Sequence, residues 1–327
     1  MPSVVNVAIH SSQTPENVRR ALLQSLRTRR INHKFHYDSV QQTHQWLALH
    51  QAWSPSRNDA DCRATYQRAF AAVTGQIAAR AVHLIGLGCG GGQKDTRLLR
   101  RLRTRGKQLT YAPVDVSTAM VLVAQRTARR ILPSARQFPL VCDLAVARDL
   151  PTVLNATAPP RAARLITFFG MIPNFEPQQV LPVLRQLLRR REDRLLFSAN
   201  LAPGSDYAQG LQRVLPQYNN ALTREWLLTF LLRLGIARAD GAVTFGIERT
   251  ASGLQRVVAH FRFRRARRLT VDAANMRFER GSALRLFFSY RYTPDLAGEH
   301  LARAGLQVKA RWLTRSGEEG IFLCARQ

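Results

Sequence analysis

The residues of this chain best placed to do chemistry are a cluster of glycines and a series of polar residues that close successive apolar runs. From His83 to Thr96 the chain reads His-Leu-Ile-Gly-Leu-Gly-Cys-Gly-Gly-Gly-Gln-Lys-Asp-Thr, with five glycines (Gly86, Gly88, Gly90, Gly91, Gly92) in seven residues. Ala81, Val82, Leu84 and Ile85 lead into it, and Leu98, Leu99 and Leu102 leave it at helical spacing. Strand, tight turn and helix in that order open a βαβ unit. Glycine tolerates positive φ and lets a ligand lie against the backbone. The helix start offers free N–H groups to a polar or anionic ligand group. A strained loop with no ligand would use the same residues, so the spacing of the downstream acids has to decide.

The next apolar run, Leu109 to Val114, ends in Asp115. That is about 20–25 residues past the glycines, where a doubly wound sheet holds the ribose hydroxyls of an adenosine ligand. A third run, Phe138 to Cys142, ends in Asp143, a candidate acceptor for an exocyclic adenine amine. A fourth ends at Phe169-Gly-Met-Ile-Pro-Asn174, which makes Asn174 a site candidate; a turn or cap role explains it equally well locally. No Gly-Lys-Ser/Thr follows the glycines, which excludes a phosphate-gripping P-loop. Gly90 and Gly92 are surplus to the dinucleotide pattern G-x-G-x-x-G. S-adenosylmethionine, an adenosine ligand without a pyrophosphate, suits the loop better.

These residues need a scaffold. Apolar runs at 83–87, 109–114, 138–142, 164–169 and 194–200 alternate with helical segments. The alternation predicts an α/β fold, a doubly wound Rossmann-like parallel sheet with helices on both faces. Ahead of it, helices are expected at Pro15–Arg29, at Val40–His50 and, capped by Ser56, through Phe70. Residues 205–285 change character: a helix over Leu222–Leu234, then alternating stretches at Val243–Arg249 and Gln255–Arg265. They read as an inserted α+β domain. Leu284–Arg291 and Gly320–Leu323 read as strands that return to the main sheet as its antiparallel edge, with a helix over Pro294–Ala304 between them. The expected organisation is 1–60 as part of a substrate-binding domain, 61–204 as the ligand-binding sheet, 205–285 as the insertion and 286–327 as the return.

The 327 residues, 46% hydrophobic, can bury a sizeable core. The net charge is +28, and all but four of the 49 basic residues are arginine. Such a field favours anionic partners and nonspecific nucleic-acid binding. The arginines are spread along every segment, however, and no helix-turn-helix, RNP or zinc-finger pattern accompanies them. Cys62, Cys89, Cys142 and Cys324 are scattered without a C-x-x-C pair, which argues against zinc and against a disulfide framework. No apolar run approaches the roughly 18 residues needed to cross a bilayer, and the N-terminus lacks a signal pattern. The expectation is a soluble, cytoplasmic protein.

Taken together, the chain resembles the histidine-specific S-adenosylmethionine-dependent methyltransferase family, whose best-known members trimethylate the α-amine of histidine. The resemblance is carried by Lys34-Phe-His-Tyr-Asp38, the glycine loop through Lys94, Pro113-Val-Asp-Val-Ser117, Gly170-Met-Ile-Pro-Asn174, Ser289-Tyr-Arg-Tyr-Thr293 and Ala304-Gly-Leu306 before Trp312. It implies a class I methyltransferase sheet with an inserted substrate-binding domain. It also implies that Tyr37, Gly88, Gly90, Lys94, Asp115 and Asp143 contact the cofactor. Asn174 and Tyr218 would hold the substrate carboxylate or amine and serve catalysis. No dedicated general base stands out in the sequence; Tyr218 acting through water is a candidate. Trp53 and Ser289 would face the substrate.

Three departures bear on function. Where the family places an acid that recognises the imidazole, this chain has Phe287; a second position facing the substrate side chain aligns with Phe261. An imidazole N–H buried without a partner costs roughly 1–3 kcal/mol, a factor of about 5–150 in binding. Histidine is therefore not the expected substrate. Gly86 stands where many methyltransferases carry an acid, which is expected to weaken cofactor binding, and Pro173 replaces a glycine beside the substrate loop. The reading is an N-methyltransferase of specialised metabolism acting on an amino acid or related small amine. A nucleic-acid or protein methyltransferase and a catalytically silent homologue are the alternatives.

Overall fold

The structure, a computed structural model, describes residues 4–327. Among the described residues thirteen strands form three sheets: β1 (Ala8–Ile9), β2 (Ala81–Leu87), β3 (Gln108–Asp115), β4 (Leu140–Val141), β5 (Ala163–Phe169), β6 (Arg194–Asn200), β7 (Gly241–Arg249), β8 (Gln255–Phe263), β9 (Arg267–Val271), β10 (Ala274–Phe278), β11 (Ala283–Arg291), β12 (Leu306–Leu313) and β13 (Glu319–Arg326). The main sheet has eight strands in the order β1-β4-β3-β2-β5-β6-β13-β12. β1 to β6 run parallel, and β13 is antiparallel to both of its neighbours. From β2 the chain moves outward through β3 and β4, then crosses to the other side of β2 for β5 and β6. That reversal makes the carboxyl ends of β2 and β5 a topological switch point, where ligands bind in open α/β sheets.

Helices cover both faces. On one, Leu98, Leu99 and Leu102 of the helix Gln93–Thr104 pack with Tyr66, Phe70 and Val73 of the helix Ala60–Gln76. On the other, Val180, Leu184 and Leu187 meet Ile166, Phe168 and Phe197 of the central strands. Strands buried on both faces need near-continuous apolar runs, and β2 and β5 have them. Asp59 caps the helix Ala60–Gln76 by accepting from the backbone N–H of Asp61 and Cys62. Ser56 lies within the preceding short helical turn Pro55–Asn58, so the expected cap shifts by three residues along the chain. Val40–Trp53 is one helix, capped by Ser39, and it carries Trp53 at its last turn.

A second unit packs over the carboxyl edge. Its three-stranded antiparallel sheet has the order β11-β8-β7, with a hairpin of β9 and β10 beside it. β11 therefore does not return to the main sheet as expected. Its alternating pattern marks a half-buried antiparallel strand but does not specify a partner. The return is made by β12 and β13. The core of this unit joins Phe261, Phe263 and Phe278 to Trp226, Phe230 and Phe35, and so binds the N-terminal segment to the insertion. Trp226 Nε1 donates to the carbonyl of His36 at 2.8 Å, and the His36 ring meets the carbonyl of Leu286 at 2.7 Å. Residues 31–37 are thereby held between β11 and the helix Ala221–Arg233.

Candidate active site

Three lobes of one cleft lie between the carboxyl edge of the main sheet and the second unit, and all three share Tyr37, Trp46 and Asn174 as walls. The first lobe, about 280 Å³, runs from Gly88, Gly90 and Asp115 past Cys142 and Leu144 to Phe288. The second lies over the glycine loop and is lined by Lys94, Asp95, Gly170 and Glu319. The third is walled by Trp226, Phe287, Tyr218 and Arg291.

The glycine loop is built as its spacing implies. Gly88, Gly90 and Gly92 adopt φ of +62°, +50° and +71°. At Gly92 a Cβ would meet the Cα of Ala124 at 2.8 Å, so a side chain there would push two helices apart. Asp115 is fixed by the loop it faces: one carboxylate oxygen accepts from Gly90 N–H and the other from Ser117 N–H, both at 3.0 Å. Burial raises the pKa of this carboxyl, partly offset by those backbone donors. Each oxygen keeps a lone pair for a hydroxyl in the first lobe.

Gly86 does not leave a gap. The Asp95 carboxylate, reaching back from the first turn of the helix Gln93–Thr104, occupies the space that a Cβ on Gly86 would need. Tyr111 Oη donates to it at 2.7 Å and Thr167 Oγ1 at 2.8 Å. Burial pushes its pKa up to about 6. An acid therefore does stand beside the end of β2, supplied by the helix.

Other expected contacts lie differently. The Asp143 side chain sits behind the first lobe, 3.4 Å from Lys34 Nζ, while its neighbours Cys142, Leu144 and Ala145 form the wall. Lys94 lines the second lobe but turns its Nζ to Tyr66 Oη, at 2.9 Å. Trp53 reaches the second and third lobes from the rim, 54% exposed. Phe261 does not line the cleft. It is fully buried, edge-on to Phe263 and tight against Gly241, in the core of the three-stranded sheet.

One face of β11 forms the wall of the third lobe. Phe287, Ser289 and Arg291, two residues apart, present successive side chains to it. Tyr218 Oη lies 2.9 Å from Ser289 Oγ and accepts from Nε and Nη2 of Arg291 at 3.2 and 2.8 Å. With two guanidinium donors on its oxygen, the Tyr218 hydroxyl proton is directed to Ser289. Asn174 closes the junction of the lobes. Its amide nitrogen donates to the carbonyl of Phe288 at 2.8 Å, which fixes the amide orientation and leaves Oδ1 for a ligand.

Sequence reasoning does not single out Arg291 or Glu319, yet both line the cleft. Arg291 stands inside the Ser289–Thr293 stretch that carries the resemblance, so a signal exists. Glu319 comes from the first residue of β13, opposite Asn200, and nothing in its local sequence marks it.

A doubly wound sheet with a glycine-rich first turn, an acid closing the adjacent strand and helices on both faces is shared by class I S-adenosylmethionine-dependent methyltransferases and dinucleotide-binding enzymes, and the family match decides for the former. The chain belongs to the family described as histidine-specific, SAM-dependent methyltransferases, which it matches over residues 15–326. It is 28% identical over 260 residues to the histidine N-alpha-methyltransferase of Mycobacterium tuberculosis, covering 76% of this chain and 77% of that one. Among solved structures it is similar to the CcbJ methyltransferase from Streptomyces caelestis, with 14% identity and a TM-score of 0.38 over 80% of this chain and 94% of that one. It is also similar to the mitomycin 7-O-methyltransferase MmcR, with 16% identity and a TM-score of 0.38 over 97% of this chain and 70% of that one.

Proposed function

We propose that this methyltransferase acts on the amine nitrogen of an amino acid or related small molecule whose side chain is aromatic or apolar rather than imidazole. The observation that carries this reading is the position of Phe287. Its ring sits 6.0 Å from both the Tyr218 and Trp226 rings, centroid to centroid, and 5.2 Å from His33. It lies on the same strand face as Ser289 and Arg291. An aromatic side chain packed there gains roughly 0.5–1.5 kcal/mol per ring pair beyond area burial. An imidazole N–H aimed at the Phe287 ring meets carbon.

S-adenosylmethionine, when bound, supplies a methyl group on an already activated sulfonium. The chain's residues bind and align. Asp115 supports the ribose, Gly88 and Gly90 admit the adenosine close to the backbone, and the wall of Leu144 and Ala145 flanks the base. Asn174, common to all lobes, holds the acceptor at the junction, with Tyr218 and Ser289 beside it. Alignment of this kind accounts for roughly 7–11 kcal/mol of a bimolecular barrier. The net charge supports, separately, salt-sensitive and nonspecific contact with polyanions. The proposed setting is a cytoplasmic enzyme of specialised metabolism.

Two measurements test this. In calorimetric titration with S-adenosylhomocysteine, Asp115→Ala should bind at least about tenfold more weakly than the wild type, from the loss of hydrogen bonds to a charged acceptor. With a methyl-labelled cofactor, phenylalanine or tyrosine should accept label and their N-acetyl derivatives should not. Equal labelling of the N-acetyl derivatives contradicts an amine acceptor.

A further inference from the structure

Glu319 is buried, 8% exposed, at the point where the second and third lobes meet. One carboxylate oxygen takes the hydroxyl of Tyr66, and the other accepts from Cys62 Sγ at 3.3 Å. Backbone geometry holds it too: its N–H donates to Thr314 Oγ1, and Leu201 N–H donates to the carbonyl of the adjacent Glu318. Lys94 stands one hydrogen bond away, its Nζ donating to Tyr66 Oη at 2.9 Å. Among the described residues no basic side chain pairs with Glu319 directly.

In a chain of net charge +28 several carboxylates draw arginines: Asp240 takes both Arg265 and Arg267, and Glu176 and Glu248 share Arg256. Glu319, like the buried Asp95 and Asp115 beside the same cleft, is held by other donors instead. A buried carboxylate is normally paired or protonated, because desolvation of an uncompensated charge costs several kcal/mol. Tyr66 and Cys62 both donate to Glu319, and their own acidities are suppressed by burial and by its negative charge. Each carboxylate oxygen accepts from one of these donors, and the open side of Glu319 faces a cavity lined by Trp53, Asn174 and Asn200.

We infer that Glu319 is the counter-ion for an alkylammonium group bound in the cleft. The ligand supplies a cation in direct contact, where the chain offers only Lys94 across Tyr66. Aromatic neighbours Trp46 and Trp53 favour the same charge through their ring faces. Two bound molecules carry an ammonium in the methyl-transfer reading on which this inference rests: the amino-acid arm of the cofactor and the acceptor amine. The chemistry is shared, and the experiment separates the sources.

Wild type and Glu319→Gln are titrated with S-adenosylhomocysteine, which carries the ammonium, and with 5′-methylthioadenosine, which lacks it. They are then titrated with phenethylamine and 2-phenylethanol in saturating S-adenosylhomocysteine. If the cofactor arm is the source, Glu319→Gln weakens S-adenosylhomocysteine by at least tenfold and leaves 5′-methylthioadenosine unchanged. If the acceptor is the source, the variant loses the preference for phenethylamine over 2-phenylethanol and binds both nucleosides normally. If neither preference changes, the inference is overturned. Should Glu319→Gln melt too early to titrate, Glu319→Asp keeps the charge but withdraws it by one methylene. A loss of about three- to tenfold for the ammonium ligands alone is then expected, and an equal loss for the neutral ligands overturns the inference. Absence of any S-adenosylhomocysteine binding by wild type contradicts the methyltransferase reading, not this one.

Discussion

The Asp95 carboxylate fills the space that a side chain on Gly86 would occupy, so the two positions form one unit: an acid on the helix and a missing side chain on the strand. The pair explains why a strand end without an acid still presents one to the cleft. It also makes the two residues energetically coupled.

Gly86→Ala should therefore destabilise the fold by about 1–3 kcal/mol, the usual cost of overpacking a buried site. Combining it with Asp95→Ala should cost less than the sum of the two single changes, because the second removes the atoms the first collides with. Urea denaturation of the four proteins in the cycle checks this. Additive changes would show that Gly86 and Asp95 do not compete for space.

The same carboxylate gives stability a pH dependence of defined sign. The pKa of Asp95 is about 6 in the folded protein against 3.8 when exposed, because burial disfavours the charged form. Between those values the unfolded chain has released the proton and the folded chain keeps it. Stability contributed by this group is thus full below pH 3.8 and falls as pH rises to 6, by roughly 3 kcal/mol. Asp95→Asn should remove that slope. The check is the difference in unfolding free energy between wild type and variant at about pH 4 and about pH 6.5, on either side of most of that fall. A difference that does not move with pH contradicts the buried, proton-retaining Asp95.

Phe287→Glu should convert the third lobe. A carboxylate beside Ser289 and Trp226 gives an imidazole N–H its partner, so kcat/KM for histidine should rise by roughly 5–150-fold while that for an aromatic amino acid falls. Single-substrate kinetics on both proteins decide it. No gain for histidine would mean that Phe287 is not the discriminating residue.

Tyr218→Phe removes the acceptor of two Arg291 donors, leaving a buried guanidinium short of partners. A stability loss of about 1–3 kcal/mol is expected, with a raised KM for the acceptor and an unchanged affinity for S-adenosylhomocysteine. Ser289→Ala, which leaves the Arg291 contacts in place, should raise KM without the stability loss. Equal melting temperatures for Tyr218→Phe and wild type would contradict the buried network.

The sheet is legible in the sequence because strand, glycine turn and helix leave local traces: the apolar run into Gly86, the periodicity after Lys94, the acid after Val114. Pairing partners leave none. Leu284–Arg291 alternates as an edge strand of either sheet would, and only tertiary packing assigns it to β8. Phe261 and Phe287 illustrate the same limit in the site. Both are aromatic residues on neighbouring strands, and the bulge between Arg285 and Phe287 sets Phe287 opposite Ala259, on the same sheet face as Phe261. Only position along the strands separates them: Phe287 reaches the third lobe, whereas Phe261 lies deeper in the core. Glu319 is invisible for a third reason: its significance comes from Tyr66 and Cys62, more than 250 residues earlier, and from the lack of a directly paired arginine among the described residues.

The most direct test of substrate choice is a competition. The enzyme is given methyl-labelled S-adenosylmethionine and an equimolar mixture of phenylalanine, tyrosine, tryptophan, leucine and histidine, and the labelled products are identified by mass spectrometry. Label should appear on the amine of an aromatic or apolar amino acid well ahead of histidine. Histidine as the dominant labelled product would contradict the role assigned to Phe287, and with it the proposed substrate class.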